Sequence, residues 1–133
     1  ALTERELKPV PGIHALIESL SAPMCIASNG SREEIMLRLK IAQLTEYFGN
    51  AIFSGLEALH PKPAPDVFLA AAQAFNISPA RCIVIEDSIP GVTAGVRAGM
   101  KVYGYAAFTP GESLRAAGAS PFANMRELKN ILA

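Results

Sequence analysis

Apolar residues along this chain follow two alternating rhythms. Ile13, Leu16, Ile17 and Leu20 recur every three or four positions behind Pro11 and Gly12, the spacing of one helix face. Met24 to Ala27 is instead a short continuous apolar run, introduced by Pro23 and ending at Ser28, which reads as a strand. Ser31 with Glu34 three residues on forms a capping box, so a second helix is expected there, carrying Ile35, Leu37 and Leu39 inward. A helical piece over 43–48 stopping at Gly49, a strand over 51–54, a loop to Lys62 and a helix over 65–75 follow. Cys82 to Ile85 is apolar throughout, the strongest strand signal in the chain, and is expected to be buried on both faces. Pro90 and Gly91 start a helix that stops at Gly99, Lys101 to Tyr105 reads as a strand, and Asn124 with Glu127 caps a last helix. Strands alternating with helices predict an α/β fold, an open and mostly parallel Rossmann-like sheet with helices on both faces.

Composition narrows the function classes. At 133 residues, half of them apolar and without a transmembrane-length run, the chain is expected to be one soluble domain with a real core. Twelve basic and twelve acidic residues cancel, which removes the electrostatic case for nucleic acid or an anionic membrane surface. Cys25 and Cys82 lie inside apolar segments without CxxC spacing and read as reduced core thiols, which favours a cytoplasmic address. Ala1 to Lys8 is charged, has no signal-peptide run and lacks an initiating Met, a hint of processing or truncation.

Polar residues at strand ends carry the chemistry. In an open parallel sheet the ligand crevice lies beyond the carboxyl ends of the strands. Ser28 follows one predicted strand, Glu86 and Asp87 follow another, and Lys62 lies in a strand-to-helix connection, so all can face one crevice. Ser28, Asn29 and Gly30 precede a capped helix, where a hydroxyl and backbone N–H groups suit a phosphate; the alternative is a plain polar turn. Lys62 between Pro61 and Pro63 puts a positive charge on a stiffened loop, suited to a transferring phosphoryl group. Adjacent carboxylates after an apolar strand call for a cation, and magnesium needs only one or two of them; the alternative is a helix cap at Asp87 or Ser88. His14 and His60 read as structural or solvated, with His60 near enough to Lys62 to merit mutation.

Three stretches stand out together: Ile26 to Gly30, Lys62-Pro63-Ala64-Pro65-Asp66, and Val84-Ile85-Glu86-Asp87-Ser88 with Gly91 and the Ala98-Gly99-Met100 ending. In them the chain resembles the haloacid dehalogenase-like hydrolases. The surroundings of these motifs are most similar to the sugar-phosphate phosphatase and β-phosphoglucomutase branch. The resemblance implies a magnesium-dependent phosphatase acting on a small phosphate ester. By it, Ser28 and Lys62 are catalytic and, with Asn29 and Gly30, bind substrate, while Asp87 ligates Mg2+ directly and Glu86 acts on its water shell. Mutase chemistry is the nearest alternative within the family. A non-catalytic phosphate- and metal-binding module is the rival outside it. A phosphoacceptor receiver domain has its acidic pair first and its lysine last, the reverse of the order here.

One family feature is absent from the sequence. The attacking aspartate, and a second acting as acid and base two residues later, belong to a first-strand motif, whereas Asp66 and Asp87 are the only aspartates in this chain. That strand is central in the family sheet, so without it two neighbouring strands are expected to carry unpaired edges. The expectation is that residues 1–10 form the tail of a cap insertion or a linker and 11–133 the C-terminal portion of the core. The nucleophile and first strand would then come from a preceding segment or a second chain.

Overall fold

The computed structural model describes residues 10–133. Its elements run α1 (Ile13–Ser19), β1 (Ile26–Ser28), α2 (Arg32–Ile41), α3 (Thr45–Phe48), β2 (Ile52–Ser54), α4 (Asp66–Ala74), a 3-10 turn (Pro79–Arg81), β3 (Ile83–Glu86), α5 (Ile89–Arg97), β4 (Lys101–Tyr105), α6 (Gly111–Ala117), β5 (Ser120–Phe122) and α7 (Met125–Leu132). All described strand pairs are parallel. The expected tail over 1–10 lies, except for Val10, outside the described residues.

Helices cover both faces. On one side α4, α5 and α6 contribute Val67, Phe68, Val92, Ala94 and Leu114 to a core with Val84 and Val102 of the sheet, against which Ala27 and Phe53 also pack. On the other, Ile17 joins Ile35, Leu39 and Ile52, while Leu16 joins Phe122, Met125 and Leu128. Alternation along each strand explains the split, since Ile26 and Ile52 face one way and Ala27 and Phe53 the other. Two caps expected from sequence close, Ser31 accepting from the Glu34 N–H and Asn124 from Glu127, and of the two residues weighed as an alternative cap for α5 it is Ser88 that accepts, from Gly91.

The sheet comes in two pieces. β1 pairs with β2, and β3–β4–β5 form a second ladder, with no hydrogen-bonded pairing between β1 and β3. Ile26 N–H donates to Ala51 and Ser28 C=O accepts from Gly55, so these residues point their backbone groups at β2 and Ala27 points away. Cys82 C=O accepts from Lys101, so by the same alternation Val84 faces β4, and the backbone groups of Ile83 and Ile85 face the open side.

Two expectations about side chains are corrected. Leu37 is not inward but 54% exposed, because Ile35 and Leu39 are four apart on one helix face and a residue midway between them points away. β3 is not buried on both faces: Val84 is buried against α5, but Ile83 and Ile85 are 52% and 41% exposed. The cover on their side comes from α1 and α7, which pack over Tyr103, Tyr105 and Phe122 of β4 and β5 and leave β3 bare. The sequence reading also passed over α6 and β5. Their punctuation was present in Pro110–Gly111 and in Gly118, whose left-handed φ of 114° ends α6.

Candidate active site

The ends of β1 and β2 are stitched into one rigid turn. Ser28 Oγ accepts the Gly30 N–H at 3.1 Å, and Ser28 C=O accepts the Gly55 N–H at 2.6 Å. Ser54, opposite Ser28 in the ladder and buried, donates its hydroxyl to Gly30 C=O at 2.7 Å and accepts from Leu56 N–H at 3.2 Å. The Ser28 hydroxyl proton stays available to an acceptor beyond the strand end, whereas the Gly30 N–H is already engaged.

The loop before α4 presents Lys62 at that turn. Lys62 N–H donates to Asn29 Oδ1 at 3.0 Å, and Asn29 Nδ2 returns a bond to Lys62 C=O at 3.4 Å. Arg97 from the last turn of α5 donates to Pro63 C=O at 3.3 Å, and Asp66 Oδ2 accepts the His60 N–H at 3.2 Å. The ammonium then reaches across the open side of the sheet. It donates to Ala27 C=O at 2.9 Å, meets the Glu86 carboxylate, and stands 4.9 Å above the centre of the Phe68 ring. Lys62 and Glu86 side chains are only 10% and 11% exposed, so this is a largely desolvated ion pair bridging the ends of β1 and β3.

Glu86 is held from its other side by the start of α5. Its Oε1 accepts the Asp87 N–H at 3.2 Å and lies 3.4 Å from Ser88 Oγ, which in turn accepts from Gly91 as the helix cap. A Cβ on Gly91 would fall on the Glu86 carboxylate, so the close approach requires glycine there. Thr109 Oγ1 donates to Asp87 C=O at 2.9 Å, tying the β4–α6 loop to the end of β3. The Asp87 side chain is exposed, and no donor among the described residues reaches its carboxylate. A depression lined by Ile85, Glu86, Asp87, Tyr105 and Met125 adjoins it.

Ser28, Asn29, Lys62, Glu86 and Asp87 therefore converge, with Gly30 in the adjoining turn. His60 points at Asp66 instead, and His14 lies apart on α1, bonded to Gln43 C=O. Sequence reasoning missed Ser54, Gly55, Arg97 and Thr109, all of which support others in the cluster. Only Ser54 left a signal, a small polar residue ending a strand as Ser28 does. At the opposite end of the open edge, burial pushes the Cys25 thiol up to about 11, with Cys82 adding to the effect. Both thiols are unpaired and partly buried.

Residues 1–99 match the family model for haloacid dehalogenase-like hydrolases. The chain belongs to that family. It is 34% identical over 106 residues to a 6-phosphogluconate phosphatase of Escherichia coli K12, covering 80% of this chain and 48% of that one. It is 30% identical over 131 residues to a phosphorylated carbohydrates phosphatase of Thermotoga maritima, covering 95% and 60%. A haloacid dehalogenase-like protein of unknown function from Agrobacterium tumefaciens superposes with a TM-score of 0.88 at 33% identity, covering 94% of this chain and 60% of that one. The chain thus spans about half the length of the curated relatives it matches.

For this haloacid dehalogenase-like chain the donor set can be weighed against magnesium. Among the described residues no three His, Cys, Asp or Glu side chains gather at one point, so a protein-only cage is not formed. Magnesium does not need one: it keeps several waters and takes one or two carboxylates plus phosphate oxygens. The unengaged Asp87 carboxylate fits that role, while Glu86 is occupied by Lys62 and suits a water-shell contact. No helix among the described residues is long and apolar enough to cross a membrane.

Proposed function

We propose that this chain is the phosphate- and metal-binding part of a magnesium-dependent phosphatase acting on a small phosphorylated metabolite, a sugar phosphate first among them. The observation that carries the reading is the placement of the Lys62 ammonium between the ends of β1 and β3, with Ser28 on one side and Glu86 and Asp87 on the other. A phosphoryl group entering there meets a largely buried positive charge and a hydroxyl donor, both held in place by the surrounding hydrogen bonds. Asp87 would hold the metal, which supplies charge neutralisation when bound. Ser28 and Lys62 orient and stabilise the transferring group, with the Asn29–Gly30 turn beside them. The names of the two phosphatase relatives support the substrate class.

The nucleophile of this proposal lies outside these 133 residues. An aspartate carried on a strand between β1 and β3 would attack phosphorus and break its bond to the ester oxygen, which leaves as the protonated alcohol, and water would then cleave the aspartyl-phosphate to inorganic phosphate and the free carboxylate. The backbone edge of Ile83 and Ile85, and that of Ala27 with its carbonyl already bonded to the Lys62 ammonium, face each other across the gap such a strand would enter, in the same chain or another. The two unpaired thiols favour a cytoplasmic setting.

Phosphate release from sugar phosphates tests the proposal. With Mg2+, the 133-residue chain alone is expected to release none. A polypeptide extended upstream by its own coding sequence is expected to turn over, and to lose turnover with Asp87→Ala. Turnover by the 133 residues alone, abolished by Asp87→Ala, would refute the external nucleophile. Turnover by the extended protein that is indifferent to Asp87→Ala would refute the metal assignment.

A further inference from the structure

Both ends of the Asn29 side-chain amide are bonded to the main chain of Lys62. Oδ1 takes the Lys62 N–H at 3.0 Å and Nδ2 reaches the Lys62 C=O at 3.4 Å, so the amide reads this residue's backbone as a neighbouring strand would. Residues 29 and 62 are far apart in sequence, and the pair is the direct link between the β1 turn and the lysine loop. A second feature makes the geometry specific. A Cβ built on Gly55, a buried residue, would collide with Asn29 Oδ1 and sit 3.2 Å from Asn29 Cα, so the amide fits only because residue 55 has no side chain.

We infer that Asn29 is a positioning residue for Lys62, not a substrate ligand, and that Gly55 is the space that lets it act. Lys62 carries a long side chain with four rotatable bonds, and rotamer freedom alone would leave its ammonium spread over the crevice. Fixing the backbone on both sides of its Cα fixes where the side chain starts. Ala27 C=O and Glu86 then fix where it ends. Arg97 on Pro63 and Asp66 on His60 hold the flanks of the loop, while among the described residues only the Asn29 side chain grips the Lys62 main chain. The importance of this clamp for chemistry rests on the reading of Lys62 as the phosphoryl-facing cation. Its existence does not, which allows the two to fail separately.

Acylation footprinting of the 133-residue chain, without substrate or metal, tests the clamp. A limiting dose of N-hydroxysuccinimidyl acetate, read lysine by lysine by mass spectrometry, is expected to modify Lys62 more slowly than the exposed Lys40 and Lys129. Asn29→Ala is expected to raise the Lys62 rate by about 5- to 30-fold, the population change that follows loss of one or two hydrogen bonds. Lys101, bonded to Ser120 far from the clamp, should keep its rate. Gly55→Ala should reproduce the effect without altering either partner, and Asn29→Asp, which keeps the acceptor for the Lys62 N–H, should restore most of the protection. A substrate-ligand role predicts no change at Lys62 in the absence of ligand. Three outcomes overturn the inference: Lys62 as reactive as Lys40 in the parent chain, Lys62 unmoved by Asn29→Ala, or Lys101 rising as much as Lys62 in both variants. None of these depends on whether phosphate esters are hydrolysed.

Discussion

Replacing Lys62 by methionine should expose what the buried ion pair contributes. Methionine keeps most of the side-chain volume and its contact with Phe68 but removes the charge, leaving the Glu86 carboxylate 11% exposed without its cation. Breaking a buried pair from one side costs about 3–5 kcal/mol, because the remaining charge is uncompensated. The Asp87 N–H and Ser88 hydroxyl still lie at 3.2 and 3.4 Å from Glu86 Oε1, which places this case at the lower end, about 3 kcal/mol. With a urea m-value of about 1.5–2 kcal/mol/M for a domain of this size, the midpoint should fall by roughly 1.5–2 M. Urea titration followed by circular dichroism reads this directly. A companion variant separates charge from volume. Lys62→Met combined with Glu86→Gln should recover most of the loss, since the orphaned charge goes with its partner. A midpoint for Lys62→Met within about 0.3 M of the parent at pH 7, below the effect of an ordinary exposed substitution, would refute a desolvated pair here.

Other substitutions separate binding from architecture. Asp87→Asn should leave the unfolding free energy from urea titration within about 0.5 kcal/mol of the parent, the side chain being exposed and without a partner among the described residues, while removing Mg2+ binding measured by isothermal titration calorimetry. Leu39→Ala should cost about 2–5 kcal/mol and Leu37→Ala almost nothing, a contrast that chemical denaturation resolves at once. Losing the Asn124 cap through Asn124→Ala should cost about 1 kcal/mol and lower the melting temperature. Iodoacetamide labelling of Cys25 in the folded chain should stay slow through pH 9 and accelerate only towards 11, because burial holds the thiol protonated and the thiolate is the reactive form. Since the unfolded thiol ionises nearer its ordinary value, stability should fall as the pH rises from about 9 to 11. Equal urea midpoints at pH 8 and pH 10.5 would count against that burial effect.

Elements whose signals were local were legible from sequence, and those set by neighbours were not. The Ser31–Glu34 and Asn124–Glu127 spacings lie within one helical turn, so those caps could be read directly and they form, whereas at α5 the sequence left the cap open between Asp87 and Ser88. The exposure of Ile83 and Ile85 could not be read, because it depends on where α1 and α7 lie, over β4 and β5. Leu37 was a misreading of period, two where a helix demands 3.6. Within the cluster, charged and hydroxyl residues at strand ends announced themselves by type. Gly55, Arg97 and Thr109 act through backbone contacts with residues far away in sequence, for which no single-residue pattern exists.

The division of the sheet has a bearing on how the molecule opens. Backbone hydrogen bonds of the ladders run within β1–β2 and within β3–β4–β5 but not between them, so what joins the halves is side chains: the packing beneath α4 and α5, α1 with Ile17 on one cluster and Leu16 on the other, Arg97 on Pro63, and the reach of Lys62. Ladders transmit cooperativity most directly, and a molecule without a continuous one is expected to open in two steps of different free energy. Native-state amide exchange should then sort protection into two groups. Val102 and Gly104, in the central strand of the three-stranded ladder, would be the last to exchange, and Ile52 and Ser54 would exchange earlier, with their own denaturant dependence. The ion pair at the crevice is in that sense also a hinge pin between two folding units.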